Sequence, residues 1–204
     1  MDAGIRNTLF GLAAFIAAIL GLFVASVLMP RPMSAEEAAQ IGYYRFDEPR
    51  IIKDFKLTDE LGATVGLESL KGQWTILFFG FTTCPDVCPT TLSVLAEAVK
   101  PFSPAPAVVM VSVDPDRDTP ETLKNYVPSF NAAFRGFTGS FDETVKLAEQ
   151  VNIAFGKVPG PTPGSYLVDH SASLVLIDPK ARYAGFIKAP HTPQKIRKVL
   201  QELL

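Results

Sequence analysis

The chain has two cysteines, Cys84 and Cys88, and both lie just beyond its most apolar run, Thr75-Ile76-Leu77-Phe78-Phe79-Gly80-Phe81. Two thiols at this spacing can close a disulfide, exchange with other disulfides, reduce a peroxide or hold a metal ion. A purely structural disulfide is the plainest of these. So short a loop removes little unfolded-state entropy, however, because disulfide stabilisation grows with loop length. Soft thiolates select Cu(I) or zinc, and imidazole suits copper and zinc alike. The chain holds two histidines. With His170, in Asp169-His170-Ser171, the thiols make a three-ligand copper site possible if strand directions bring them together, whereas zinc in a structural site wants a fourth protein ligand. Taken alone, a single histidine is more often packed or exposed than a ligand. His191, between Pro190 and Thr192 at a helix start, reads as capping or solvent-facing.

The elements around the cysteines set where their chemistry happens. Thr75 to Phe81 shows no alternation with polar residues, the pattern of a strand buried on both faces in a parallel sheet. Such a strand delivers Cys84 and Cys88 to its C-terminal edge, where ligands of open α/β sheets bind. Each cysteine precedes a proline, Pro85 or Pro89, and that position disfavours helical geometry. The two thiols are therefore not expected on one regular helix. Pro89 suits the first helical position, with Cys88 as N-cap. There, free N–H groups and the helix dipole would favour the Cys88 thiolate.

A helix over Pro89 to Lys100 and a second buried strand, Ala107 to Val113, complete a βαβ unit. Before it, Asp54 to Thr58 alternates like a half-buried strand, and Thr64-Val65 returns as a hairpin. After it, Thr119-Pro120 opens a helix to Tyr126, and Phe134 to Thr138 reads as a short strand. Ser140 and Glu143 make a capping box for a helix with an apolar stripe at Phe141, Val145, Ala148 and Val151. Phe155 to Asp169 holds three glycines and three prolines. It reads as a long, partly mobile loop, and such loops are more often functional than not. Ser173 to Ile177 and Tyr183 to Ile187 form a hairpin, and Thr192-Pro193 caps a terminal helix. The order implies a thioredoxin-like α/β fold with an N-terminal hairpin and an inserted loop. Asp114-Pro115-Asp116-Arg117-Asp118 reads as a turn in which Arg117 neutralises its neighbours rather than as a hard-cation site. An acidic docking face is an equal alternative.

From Asn7 to Pro30 no residue is charged, and about 20 apolar residues span a bilayer core. The domain reading is a membrane anchor over 1–32, a tether over 33–50 with a short helical piece at Ala35 to Gln40, and a globular domain over 51–204. A cleaved signal peptide competes, but its apolar core runs about 7 to 15 residues before a small-residue cleavage site. The nearest such site, Val24-Ala25-Ser26, lies inside the apolar run. Arg6 and Arg31 flank the run and give a weak bias toward a cytoplasmic N-terminus. That orientation makes a single-pass protein of the inner membrane with its bulk in the periplasm. With 19 basic against 21 acidic residues and no basic stripe, nucleic acid is not an expected partner.

Three stretches in order, Phe78 to Leu92 with Cys-Pro-Asp-Val-Cys-Pro at its centre, Val113 to Pro120, and Tyr166 to Ser171, resemble the Sco/SenC family of membrane-anchored, thioredoxin-like copper proteins. The resemblance runs from about Phe55 to the C-terminus. It implies copper held by Cys84, Cys88 and His170, as Cu(I), Cu(II) or both, and it matches Asp114 and Asp118 to the family's paired aspartates. It implies assembly of the binuclear copper centre of cytochrome c oxidase subunit II, by copper transfer, by reduction of that subunit's cysteines, or both. An upstream copper donor and a thioredoxin-like reductant are the further partners implied. Departures are mild. Thr83 stands where histidine is common, Ile52-Lys53-Asp54 replaces a glycine-rich approach, and Asp178-Pro179-Lys180 lacks a following glycine. A general thiol-disulfide reductase is the main rival, disfavoured because no proline stands just before the Ser173 strand. A peroxiredoxin is a second, suggested by Val87-Cys88-Pro89-Thr90 but lacking threonine at position 85.

Overall fold

The computed structural model describes residues 2–28, 33–160 and 162–204. Pro30 and Arg31, at the expected end of the anchor, and Pro161, in the expected loop, lie outside the described residues. The chain divides into two units, Met1–Ser34 and Ala35–Leu204.

In the first unit, α1 (Ala3–Leu28) is one continuous helix. Its 26 residues extend about 39 Å at 1.5 Å per residue, more than the roughly 30 Å of a bilayer core. Ala3–Ser26 is long and apolar enough to cross a membrane.

The second unit begins with α2 (Ala35–Gln40), β1 (Tyr43–Ile51), β2 (Leu57–Asp59) and β3 (Thr64–Val65). The βαβ unit follows as β4 (Thr75–Gly80), α3 (Val87–Val99) and β5 (Ala107–Ser112). Then come α4 (Pro120–Tyr126), β6 (Arg135–Thr138), α5 (Phe141–Gln150), β7 (Phe155–Pro159), β8 (Tyr166–His170), β9 (Leu174–Ile177), β10 (Arg182–Ile187) and α6 (Pro193–Leu203). The main sheet runs β1-β10-β9-β4-β5-β6-β2-β3, with β7 and β8 as a separate pair. All six residues of β4 are buried, as expected of a strand covered on both faces. β5 lies parallel to β4, and β9 lies antiparallel on its other side with Leu174 opposite Phe78. This antiparallel pairing brings the start of β9, and the residues just before it, to the C-terminal end of β4. The sequence leaves strand direction open, so it does not determine that meeting.

Local signals work as read. Thr119, Ser140 and Thr192 cap α4, α5 and α6, accepting from the N–H groups of Thr122, Glu143 and Lys195. Glu143, however, does not close the capping box. Its Oε2 accepts from Lys56 N–H at 2.7 Å and ties α5 to the approach to β2. Phe141 is exposed, and the buried face of α5 carries Thr144, Leu147 and Ala148. Where a glycine was missing after Lys180, Ala181 takes φ 58°. Asp178 secures that turn, its Oδ1 accepting from Lys180 and Arg182 N–H at 2.9 Å each.

Two expectations are corrected. The stretch 33–50 is no simple tether, because Tyr43–Ile51 is an edge strand paired to β10. Its charges mask an aromatic pattern. Tyr44 stacks on Phe186 at 5.0 Å and Phe46 meets Tyr183 edge-on at 4.8 Å. The stretch Phe155 to Asp169 is no open loop either. It forms the β7–β8 hairpin, registered from Phe155 opposite His170 to Pro159 opposite Tyr166. Most of its breaker residues gather in the turn, and Pro159 takes the last place of an edge strand, where a missing N–H is tolerated.

Candidate metal centre

After β4 the chain turns at Thr82 and Thr83, passes Cys84, and enters α3 at Val87. The first four N–H groups of any helix lack intrahelical acceptors. Asp86, the N-cap, supplies none from its side chain. Cys84 Sγ fills the role, accepting from Cys88 N–H at 3.4 Å. This reverses the expected roles: Cys88 lies inside the first turn, and the sulfur facing the helix N-terminus belongs to Cys84. Pro89, the third residue of the helix, is tolerated because a donor there needs no intrahelical partner. The two thiols do not share a regular helical face, as expected.

Cys88 has 0% exposure, while Cys84 is half-buried. Burial pushes the Cys88 thiol well above its ordinary range, outweighing a backbone hydrogen bond at Phe81 that acts the other way. The helix-start argument for a free thiolate therefore fails at Cys88, because desolvation wins. Both cysteines are unpaired thiols.

His170 ends β8 and points at the cysteines. Its Nε2 lies 3.6 Å from Cys88 Sγ, and its Nδ1 lies 3.2 Å from Ser171 C=O. A carbonyl only accepts, so Nδ1 carries the hydrogen and Nε2 presents its lone pair to the sulfurs. Burial holds the imidazole pKa below its ordinary value, against the opposing effects of the Ser171 bond and the Asp169 charge. The rings of Phe78 and Phe81 stand edge-on to the imidazole at 6.1 and 6.0 Å.

The sulfurs of Cys84 and Cys88 and a nitrogen of His170 all lie within 4.8 Å of one another. This is the one such cluster among the described residues. A borderline-soft ion is bound at about 2.3 Å by sulfur and about 2.0 Å by imidazole, so ligands of one ion stand at most about 4.6 Å apart, and a small inward movement of these side chains would seat it. The soft donor set suits copper. A pocket of about 230 Å³ opens beside it, lined by Phe81, Cys84, Pro85, Val87, Leu167 and His170.

The acidic turn after β5 is structural. Asp114 and Asp118 are fully buried. Arg117 Nε donates to Asp114 Oδ2. Asp118 accepts from Thr82 Oγ1 at 2.6 Å and Ser112 Oγ at 2.7 Å, so it fixes the turn that leads to Cys84. Burial raises the Asp118 pKa despite those bonds. Asp116 is the exposed member, paired with Lys157 at 2.6 Å. His191 is not a member of the cluster. Its Nε2 lies 2.7 Å from Ala172 C=O.

Sequence reasoning missed the packing around the site: Phe78 and Phe81 against the imidazole, Gly80 beside Cys88, and Tyr166 against Arg117. Only the motif that Tyr166 opens hinted at it.

The SCO1/SenC family model matches residues 45–204. A Stutzerimonas stutzeri protein described as copper-binding is 39% identical over 163 residues, covering 76% of this chain and 78% of that one. The structure of Arabidopsis thaliana ScoI with copper bound superposes with a TM-score of 0.70 at 36% identity, covering 74% of this chain and 97% of that one. Bradyrhizobium japonicum ScoI with copper bound gives 0.66 at 38% identity, covering 76% and 99%. These likenesses agree with the thioredoxin-like architecture.

Proposed function

Because this chain belongs to the SCO1/SenC family, we propose that it is a copper metallochaperone, binding its cargo through Cys84, Cys88 and His170. The observation that carries the reading is the convergence of two thiols and one imidazole lone pair within 4.8 Å. Copper would be held by thiolates, so loading displaces the thiol protons. His170, already neutral and oriented by Ser171, supplies nitrogen without a proton to lose. Half-exposed Cys84, beside the apolar pocket, is the sulfur a partner reaches first.

The acceptor in this reading is cytochrome c oxidase subunit II, whose binuclear copper centre the chain helps to assemble. An upstream copper donor loads it and a thioredoxin-like reductant keeps its thiols reduced. The apolar helix anchors it to the inner membrane in a single pass, with the globular unit in the periplasm. A second reading, a thiol-disulfide reductase acting on the subunit's cysteines, is favoured by the exposure difference between the two thiols, one accessible and one buried.

Copper stoichiometry and absorbance of the reduced, reconstituted chain test the first reading. It expects one copper per chain and, for Cu(II), a sulfur-to-copper charge-transfer band. Absence of binding, together with rapid reduction of a peptide disulfide, would leave the reductase reading in its place.

A further inference from the structure

His170 hangs from β8, and β7–β8 is not a strand pair of the main sheet. The β4–β9 ladder brings the end of β8 to the cysteine edge, but His170 itself lies outside the main sheet. Side chains add a second hold on the hairpin, and they meet at Arg117.

The Arg117 guanidinium reaches in three directions. Its Nε donates to Asp114, a carboxylate with no exposure. Its Nη1 donates to Tyr166 C=O at 3.3 Å, and its plane lies 4.0 Å from the centre of the Tyr166 ring. Tyr166 Oη donates to the other oxygen of Asp114 at 2.8 Å, closing a ring of contacts between the β5–α4 turn and the first residue of β8. Arg117 also stands 5.8 Å from the centre of Phe81. Phe81 is one of the two rings that wedge His170. Lys157, across the hairpin, covers Tyr166 at 4.5 Å.

We propose that Arg117 is a positioning residue of the copper site: through Tyr166 and Phe81 it holds the hairpin and the His170 imidazole in place over Cys84 and Cys88, without itself touching the metal. The inference rests on the reading of those three residues as copper ligands. A planar fork suits the task, since lysine is a point charge that cannot serve a carboxylate, a carbonyl and a ring face together.

The test uses the full-length, detergent-solubilised, reduced chain and competes Cu(I) away with bathocuproine disulfonate. Arg117→Lys keeps the charge against Asp114 but loses the fork. It is expected to weaken copper binding about 10- to 100-fold, the range of outer-shell changes at metal sites, and to diminish the nitrogen hyperfine splitting of the Cu(II) form. In a His170→Ala background the same substitution is expected to have no further effect, because coupled residues are not additive. Tyr166→Phe, which removes one hydrogen bond from the same ring of contacts, is expected to shift binding in the same direction by less. Parent-like affinity in Arg117→Lys, or an equal loss with and without His170, overturns the proposal and leaves the copper site standing. Parent-like affinity in His170→Ala overturns the ligand reading itself, and this inference with it.

Discussion

Cys88 Sγ and His170 Nε2 lie 3.6 Å apart although 82 residues separate them in the chain. The contact exists because β9 runs antiparallel to β4, returning the chain to the edge where β4 releases the cysteines. His170→Ala is therefore expected to remove a ligand and to weaken copper binding by more than the 10- to 100-fold typical of outer-shell changes. Chelator competition measures it. Unchanged affinity would place His170 outside the ligand set.

Oxidation should disarm the site. Cys84 and Cys88 joined as a disulfide lose two protons and two electrons to the oxidant and keep no thiolate, which is the ligand form. Treatment with a mild oxidant is expected to abolish copper binding, and a dithiol reductant to restore it. Copper retained by a chain whose mass shows the loss of two hydrogens would contradict this.

The two histidines contribute to the acid response of the metal-free fold. Burial holds both below the ordinary value of 6.5. The unfolded chain then takes up protons that the folded chain refuses, so stability is full above about pH 6.5 and falls as pH drops from there through the folded values. Each histidine contributes a slope of at most about 1.4 kcal/mol per pH unit. His191→Gln keeps a side-chain N–H for Ala172 C=O and deletes one titration, so urea unfolding between about pH 5 and pH 7 should show a shallower slope. A slope equal to the parent's would mean that His191 protonates freely in the fold.

Much of this arrangement was legible in the residues, for a physical reason. Periodicity and caps are local, so β4, α3, β5 and the capped starts of α4, α5 and α6 could be read from neighbours in sequence. Cys84, Cys88 and His170 could be named as candidates by type, and the motifs around them made copper the natural cargo. Tertiary pairing was not legible. Tyr43–Ile51 became a strand because β10 was there to receive Tyr44 and Phe46. Phe155 to Asp169 became a hairpin because turn-forming residues in its middle outweigh breakers near its ends. The protonation preference of Cys88 was read with the wrong sign. The helix start is visible in sequence, whereas the burial that overrides it is a property of the packed fold.

Gly80 tests how little slack the site has. It ends β4, and a Cβ there would stand 2.7 Å from Phe78 Cε1 and 3.1 Å from Cys88 Sγ. Both neighbours belong to the site: Phe78 wedges His170 and Cys88 is a proposed ligand. Neither can retreat easily, since both have 0% exposure. Overpacking of this kind costs about 1 to 3 kcal/mol, so Gly80→Ala should lower the unfolding midpoint. It should also weaken copper binding, by displacing one sulfur and the ring behind the imidazole. Gly156→Ala is the matched control, because its Cβ meets nothing within 4 Å, and it should leave affinity unchanged. If Gly80→Ala binds copper as the parent does, the packing of Phe78 and Cys88 has more slack than their burial implies.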